Sequence, residues 1–226
     1  MKILLFGATG MIGQGVVREC LLDPQVGSVV SVVRTAAGQR REKVCELVHA
    51  NFQNFSAIEA GFAAVDACLF CLGVTSTGMT EADYRRVTYD ITIAAARACV
   101  RANPAMTFIY VSGAGTDASE RGRLMWARVK GQTENALLHM GFRGAYAFRP
   151  GVIQPLHGIQ SRTKVYRVLY KLLAPLLPAW KAIAPHSITT TGQLARAMLR
   201  VAKEGYSKPV LEMRDITSFR AVACDA

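Results

Sequence analysis

The 226-residue sequence lacks several features that would have placed it quickly. It has no uninterrupted apolar run of the roughly 18–20 residues that a spanning helix requires, which points to a soluble chain. The opening "MKILLFGATG" offers one lysine and five apolar residues before a glycine turn, too short an apolar run for a signal peptide. Histidine is sparse, and His49, His139, His157 and His186 show no metal-ligand spacing. Neither an internal repeat nor a low-complexity linker is visible. The six cysteines, at positions 20, 45, 68, 71, 99 and 224, lie mostly inside apolar periodic segments and lack disulfide-like spacing, so they read as reduced, buried thiols in a cytoplasmic protein. "CLFC" at 68–71 is formally C-x-x-C, but it falls in a strand-like run and not at a helix N-terminus, where a redox pair belongs.

Acidic residues are also in short supply. Sixteen Asp and Glu stand against 27 Lys and Arg, a net charge of +11, which favours an anionic ligand, a nucleic acid or an acidic membrane surface. The arginines are dispersed and no aromatic-basic module appears, which argues against nucleic acid. The segment 164–183, "KVYRVLYKLLAPLLPAWKAI", mixes basic and apolar residues in a way that suits peripheral membrane contact. Pro175 and Pro178 break its helix, and a lid over a small-molecule substrate is the favoured reading.

The chain does contain alternation. Apolar, strand-like runs at 2–6, 28–33, 67–72, 107–112 and 145–148, with a weaker one at 44–48, are separated by helical spacing at 11–22, 81–102 and 122–140. This predicts an α/β fold, a doubly wound parallel sheet covered on both faces. After "FRPGV" (148–152) the pattern loosens, with a helix over 191–203 and a short strand in "KPVLEM". Residues 1–226 read as one domain, with 151–226 supplying a small cap and closing elements.

"GATGMIGQG" lies between the first strand and the first helix, and Gly7, Gly10 and Gly13 are spaced G-x-x-G-x-x-G. Missing Cβ atoms there let a pyrophosphate approach the backbone and the helix N-terminus, so the loop predicts a dinucleotide. An NAD site commonly has an acid at the end of strand two. Here Arg34 stands there, with Arg40 and Arg41 following and no carboxylate before Glu42. A guanidinium fork suits a 2′-phosphate, which favours NADP over NAD.

In order, "GATGMIG", "CLGVTSTG", "YVSGAG", "VKGQTENAL" and "FRPGV" resemble the atypical, extended-like short-chain dehydrogenase/reductases. The nearest branch looks like the Tat-interacting-protein oxidoreductase-like group and its bacterial epimerase-like relatives. The resemblance covers residues 1–155 well. It implies a Rossmann-fold NAD(P)-binding oxidoreductase with Gly7, Thr9, Gly10, Met11 and Ile12 along the pyrophosphate. Gly73, Val74 and Thr75 would lie under a ribose, and Pro150, Gly151, Val152 and Ile153 would edge the nicotinamide. Ser112 and Lys130 would be the catalytic serine and lysine, Lys130 also holding the nicotinamide ribose.

Where this family has a tyrosine four residues before the lysine, this chain has Trp126. An indole N–H does not ionise usefully and cannot act as acid or base. The sequence therefore implies either a carbonyl reductase with a different proton donor, Tyr84 among the candidates, or a catalytically silent NADP(H)-binding sensor or scaffold.

Overall fold

A computed structural model describes residues 1–36, 38, 41–159 and 187–219 of the chain. The 164–183 segment, Arg40, His186 and Cys224 lie outside the described residues.

Strands β1 (Lys2–Phe6), β2 (Ser28–Val33), β3 (Val44–Val48), β4 (Ala67–Phe70), β5 (Thr107–Val111) and β6 (Gly144–Phe148) form one parallel sheet with a short late strand, β9 (Val210–Leu211). Its order is β3-β2-β1-β4-β5-β6-β9. Helix α1 (Met11–Leu22) leads from β1 to β2, and α4 (Met125–Leu138) from β5 to β6. Between β4 and β5 the chain runs through α2 (Glu81–Arg85), a π-helical turn (Arg86–Asp90) and α3 (Ile91–Ala102). A single helix over 81–102 is thus interrupted by a wider turn that periodicity does not reveal.

Alternation along β1 shows why both faces are covered. Ile3 and Leu5 pack with Val16, Val17, Leu194 and Met198, while Leu4 and Phe6 pack with Ile93, Phe52, Phe55 and Phe62. All four β1 side chains are fully buried, as a parallel sheet with helices on each side requires. The two thiols of "CLFC" separate the same way: Cys68 is buried in the second cluster and Cys71 packs against the first, while Cys45, expected to be buried, is exposed on edge strand β3.

The chain beyond Pro150 does more than cap. A second parallel pair, β7 (Val152–Gln154) with β8 (Ile188–Thr190), was not anticipated from the sequence. It delivers α5 (Thr191–Glu204), capped by the Thr190 hydroxyl, onto α1. Gly15 makes that contact close, since a Cβ there would stand 2.9 Å from the Thr191 side chain. The short helix α6 (Met213–Ser218) follows β9 and opens with a reciprocal Glu212–Asp215 cap. No helix among the described residues is long and apolar enough to cross a membrane.

Candidate functional site

Strand order reverses between β1 and β4, and in such sheets ligands bind outside the carboxyl ends of the strands at that reversal. Gly7 turns there with φ of 83°. A Cβ on Gly7 would lie 2.7 Å from the Leu72 nitrogen, so the turn after β1 rests directly on the backbone leaving β4. At Gly13 a Cβ would be 2.0 Å from the Gly7 carbonyl oxygen, so this glycine lets α1 close onto its own loop. Gly10 differs. It is the N-cap of α1 with no side-chain cap, and its nearest obstacle would be the Gly7 oxygen at 3.3 Å. Met11 and Ile12 open the helix, and the Thr9 carbonyl accepts from Gln14 Nε2 at 3.1 Å. The N–H groups of a first helical turn have no intrahelical partner, and no capping side chain covers them here. A Cβ-free floor under a helix N-terminus fits a dinucleotide pyrophosphate.

The other expected residues gather at this edge. Arg34 is exposed one residue past β2. Gly73, Val74 and Thr75 follow β4, with Val74 exposed and the Thr75 hydroxyl bonded to that of Thr77. Buried Pro150 follows β6, and its carbonyl accepts from Ala114 N at 2.9 Å, joining the loop after β5 to the loop after β6. Exposed Gly151 follows, and Val152 and Ile153 begin β7.

Ser112 stands immediately past β5 and is held from every side. Its N–H donates to the Phe148 carbonyl, and its own carbonyl accepts from Lys130 Nζ. Its hydroxyl lies against Glu134 Oε1 and the Phe148 oxygen, not in open space. Lys130 is half-buried, but its ammonium reaches inward from α4, and burial pushes its pKa down to about 8 while the Glu134 carboxylate pulls it upward. Glu134 is 1% exposed and takes a bidentate fork from Arg149, whose Nε and Nη2 lie 3.1 Å and 2.5 Å from its oxygens. Arg149 then reaches Glu212 at 2.9 Å.

Trp126 is the second residue of α4, one turn before Lys130, and its indole lies over Gly115, at van der Waals distance from where a Cβ would be. Gly115 has φ of 84°. The indole is thus a wall of the loop after β5. The alternative phenols are engaged elsewhere: Tyr84 is 2% exposed beside Tyr110, and Tyr89 lies under the Arg85 guanidinium at 4.1 Å. Tyr84, a candidate donor on the sequence, is buried in the core, away from solvent. His157 is exposed at φ of 57°.

Residues 7–138 match a family model described as NAD(P)H-binding. The chain belongs to the NAD(P)H-binding family. Among curated relatives, "Protein FMP52, mitochondrial" of Eremothecium gossypii is 31% identical over 155 residues, covering 68% of this chain and 66% of that protein. A relative named "Protein fmp52-2, mitochondrial", of Aspergillus oryzae, is 24% identical but spans 94% of this chain and 93% of its own length. Among solved structures, the Bordetella bronchiseptica enzyme WbmH in complex with NAD⁺ has a TM-score of 0.67 at 13% identity, covering 93% of this chain and 74% of its own. A short-chain dehydrogenase/reductase family oxidoreductase of Burkholderia thailandensis has a TM-score of 0.65 at 16% identity, covering 94% and 90%. These likenesses show the Rossmann fold, and the family match makes the chain an NAD(P)H-binding protein.

The sequence reading of this NAD(P)H-binding chain missed Glu134, Arg149 and Gly131. Glu134 could have been found, since it is four residues from Lys130 and faces the same side of a helix. Arg149 follows β6 directly, within "FRPG", where a buried acid is its natural partner. Gly131 has no such signal. A Cβ there would collide with the Asp117 carbonyl oxygen, and only the folded loop brings Asp117 back onto α4.

Proposed function

We propose that the chain is an NADP(H)-dependent reductase of small carbonyl compounds in which Lys130, and not a tyrosine, supplies the proton. On this reading the glycine loop holds the pyrophosphate, and Arg34, exposed just past β2, would meet a 2′-phosphate. When bound, the dinucleotide supplies the hydride. The observation that carries the reading is the pairing of Trp126 with an inward ammonium one turn later. An indole cannot deliver a proton, whereas an ammonium poised at about 8 is charged at neutral pH yet gives its proton up readily. Ser112 positions that ammonium through its carbonyl, and its own hydroxyl is committed to Glu134.

The test is NADPH oxidation over a panel of small ketones and aldehydes, with NADPH affinity measured separately by calorimetry. Turnover should fall as pH rises through about 8, because Lys130 then loses the proton it must donate. Lys130→Met should reduce the rate about 10²–10⁴-fold, the usual worth of general acid help. Trp126 also favours a second reading, a sensor or scaffold that holds NADP(H) without reacting. Tight NADPH binding with no oxidation across the panel would select it.

A further inference from the structure

We propose that Glu134 is the positioning residue of this site, fixing Ser112 and keeping Lys130 in its charged form through a buried four-group network. The proposal rests on the reading of Lys130 given above and adds the group that controls it. The geometry is a closed arrangement around one residue. Lys130 and Glu134 lie one turn apart on α4, Lys130 bonded to the Ser112 carbonyl and Glu134 to the Ser112 hydroxyl. Ser112 is therefore gripped at both its main chain and its side chain by two oppositely charged groups of the same helix.

The charges facing this point come from several elements. Glu134 is on α4 itself, Arg149 follows β6 directly, and Glu212 caps α6; Tyr110 of β5 and Tyr84 of α2 lie nearby, burial pushing the Tyr110 phenol well up. Two carboxylates and one guanidinium leave one negative charge, and a protonated Lys130 completes a neutral set. The two acids are not equivalent. The Glu212 side chain is 53% exposed and solvated, while that of Glu134 is 1% exposed and depends on its protein partners. Removing the Glu134 charge leaves Arg149 and the desolvated ammonium without the anion between them, so Lys130 should surrender its proton at lower pH.

The experiment follows the side-chain resonances of Lys130 across pH by NMR in lysine-labelled protein without cofactor. The unmodified chain should titrate at about 8. Glu134→Gln keeps the shape but not the charge, and should lower the midpoint by about one unit or more, with Glu134→Asp returning it most of the way. The same downward step should appear in the high-pH limb of turnover. A purely structural Glu134 would lower the melting temperature and leave the Lys130 midpoint where it was, and that result overturns the proposal. Should Glu134→Gln fail to fold, the Glu134 carboxylate is observed in the unmodified chain. It should show a step at about pH 8 that Lys130→Met abolishes, and its absence is equally fatal. If NADPH neither binds nor reacts, the functional reading falls, but the titration still answers for Glu134.

Discussion

Two glycines of the phosphate loop should respond to the same added methyl in opposite ways. At Gly13 a Cβ would sit 2.0 Å from the Gly7 carbonyl oxygen and 2.7 Å from its carbon. Contacts under about 3 Å do not occur for real Cβ atoms, so Gly13→Ala must open the loop against α1 by about 1 Å. The obstacle is backbone, and that backbone is already wedged against Leu72 through Gly7, so little can yield. Overpacking of this kind costs about 1–3 kcal/mol, and a rigid obstacle puts Gly13 at the upper end. For a chain of this length that is roughly 6–12 °C in melting temperature, taking about 2–4 °C per kcal/mol. At Gly10 the nearest atom is 3.3 Å away and the backbone is extended, at φ −77° and ψ 167°, which alanine adopts freely. Gly10→Ala should cost only tenths of a kcal/mol at an N-cap, yet place a methyl where the pyrophosphate must approach. Calorimetric melting and NADPH titration on both variants check this. Gly13→Ala should melt early, while Gly10→Ala should melt near the parent and bind NADPH at least about tenfold more weakly, or about 1.4 kcal/mol. A Gly13→Ala protein melting within a degree of its parent would refute the close-packing argument. Unchanged affinity in Gly10→Ala would mean the loop is a structural turn only.

Two other substitutions test the cofactor and the chemistry. Arg34→Ala should erase most of the preference for NADPH over NADH, roughly a ten- to hundred-fold effect at about 1.5–3 kcal/mol for a charged hydrogen bond; equal affinities in the unmodified chain by calorimetry would remove Arg34 from the 2′-phosphate. Trp126→Tyr restores a phenol one turn from Lys130 and should keep NADPH affinity while raising carbonyl reduction, read as NADPH oxidation; a slower variant would make the indole part of the working mechanism.

The fold was largely legible because its cause is periodic. Continuous apolar runs broken by helices require a parallel sheet buried on both faces, and β1, β2, β3 and α1 lie where that pattern sets them. The π-helical turn at Arg86–Asp90 escaped because one extra residue per turn changes register without changing composition. The β7–β8 pair escaped for another reason: three-residue strands carry too little pattern to distinguish from loop.

At the site, legibility depended on whether a residue acts through backbone shape or through its partners. Gly7 and Gly13 are readable because close approach excludes a side chain, and glycine is what exclusion leaves in a sequence. Ser112 was readable as a position, while the partners of its hydroxyl were not. The motif locates it at the end of β5, but which way its hydroxyl turns is decided by Glu134, 22 residues on, and by the Phe148 carbonyl across the neighbouring strand. Lys130 is likewise set by its surroundings: burial lowers its pKa, and the Glu134 carboxylate, held by Arg149, raises it. A tyrosine-to-tryptophan difference looks decisive when each position is read alone. Within the network it removes one proton source and leaves the Lys130 ammonium, already desolvated and one turn away, as the proposed second. On the proposed reading, whether this chain reacts or only binds turns on the charge state of Lys130 more than on the identity of residue 126.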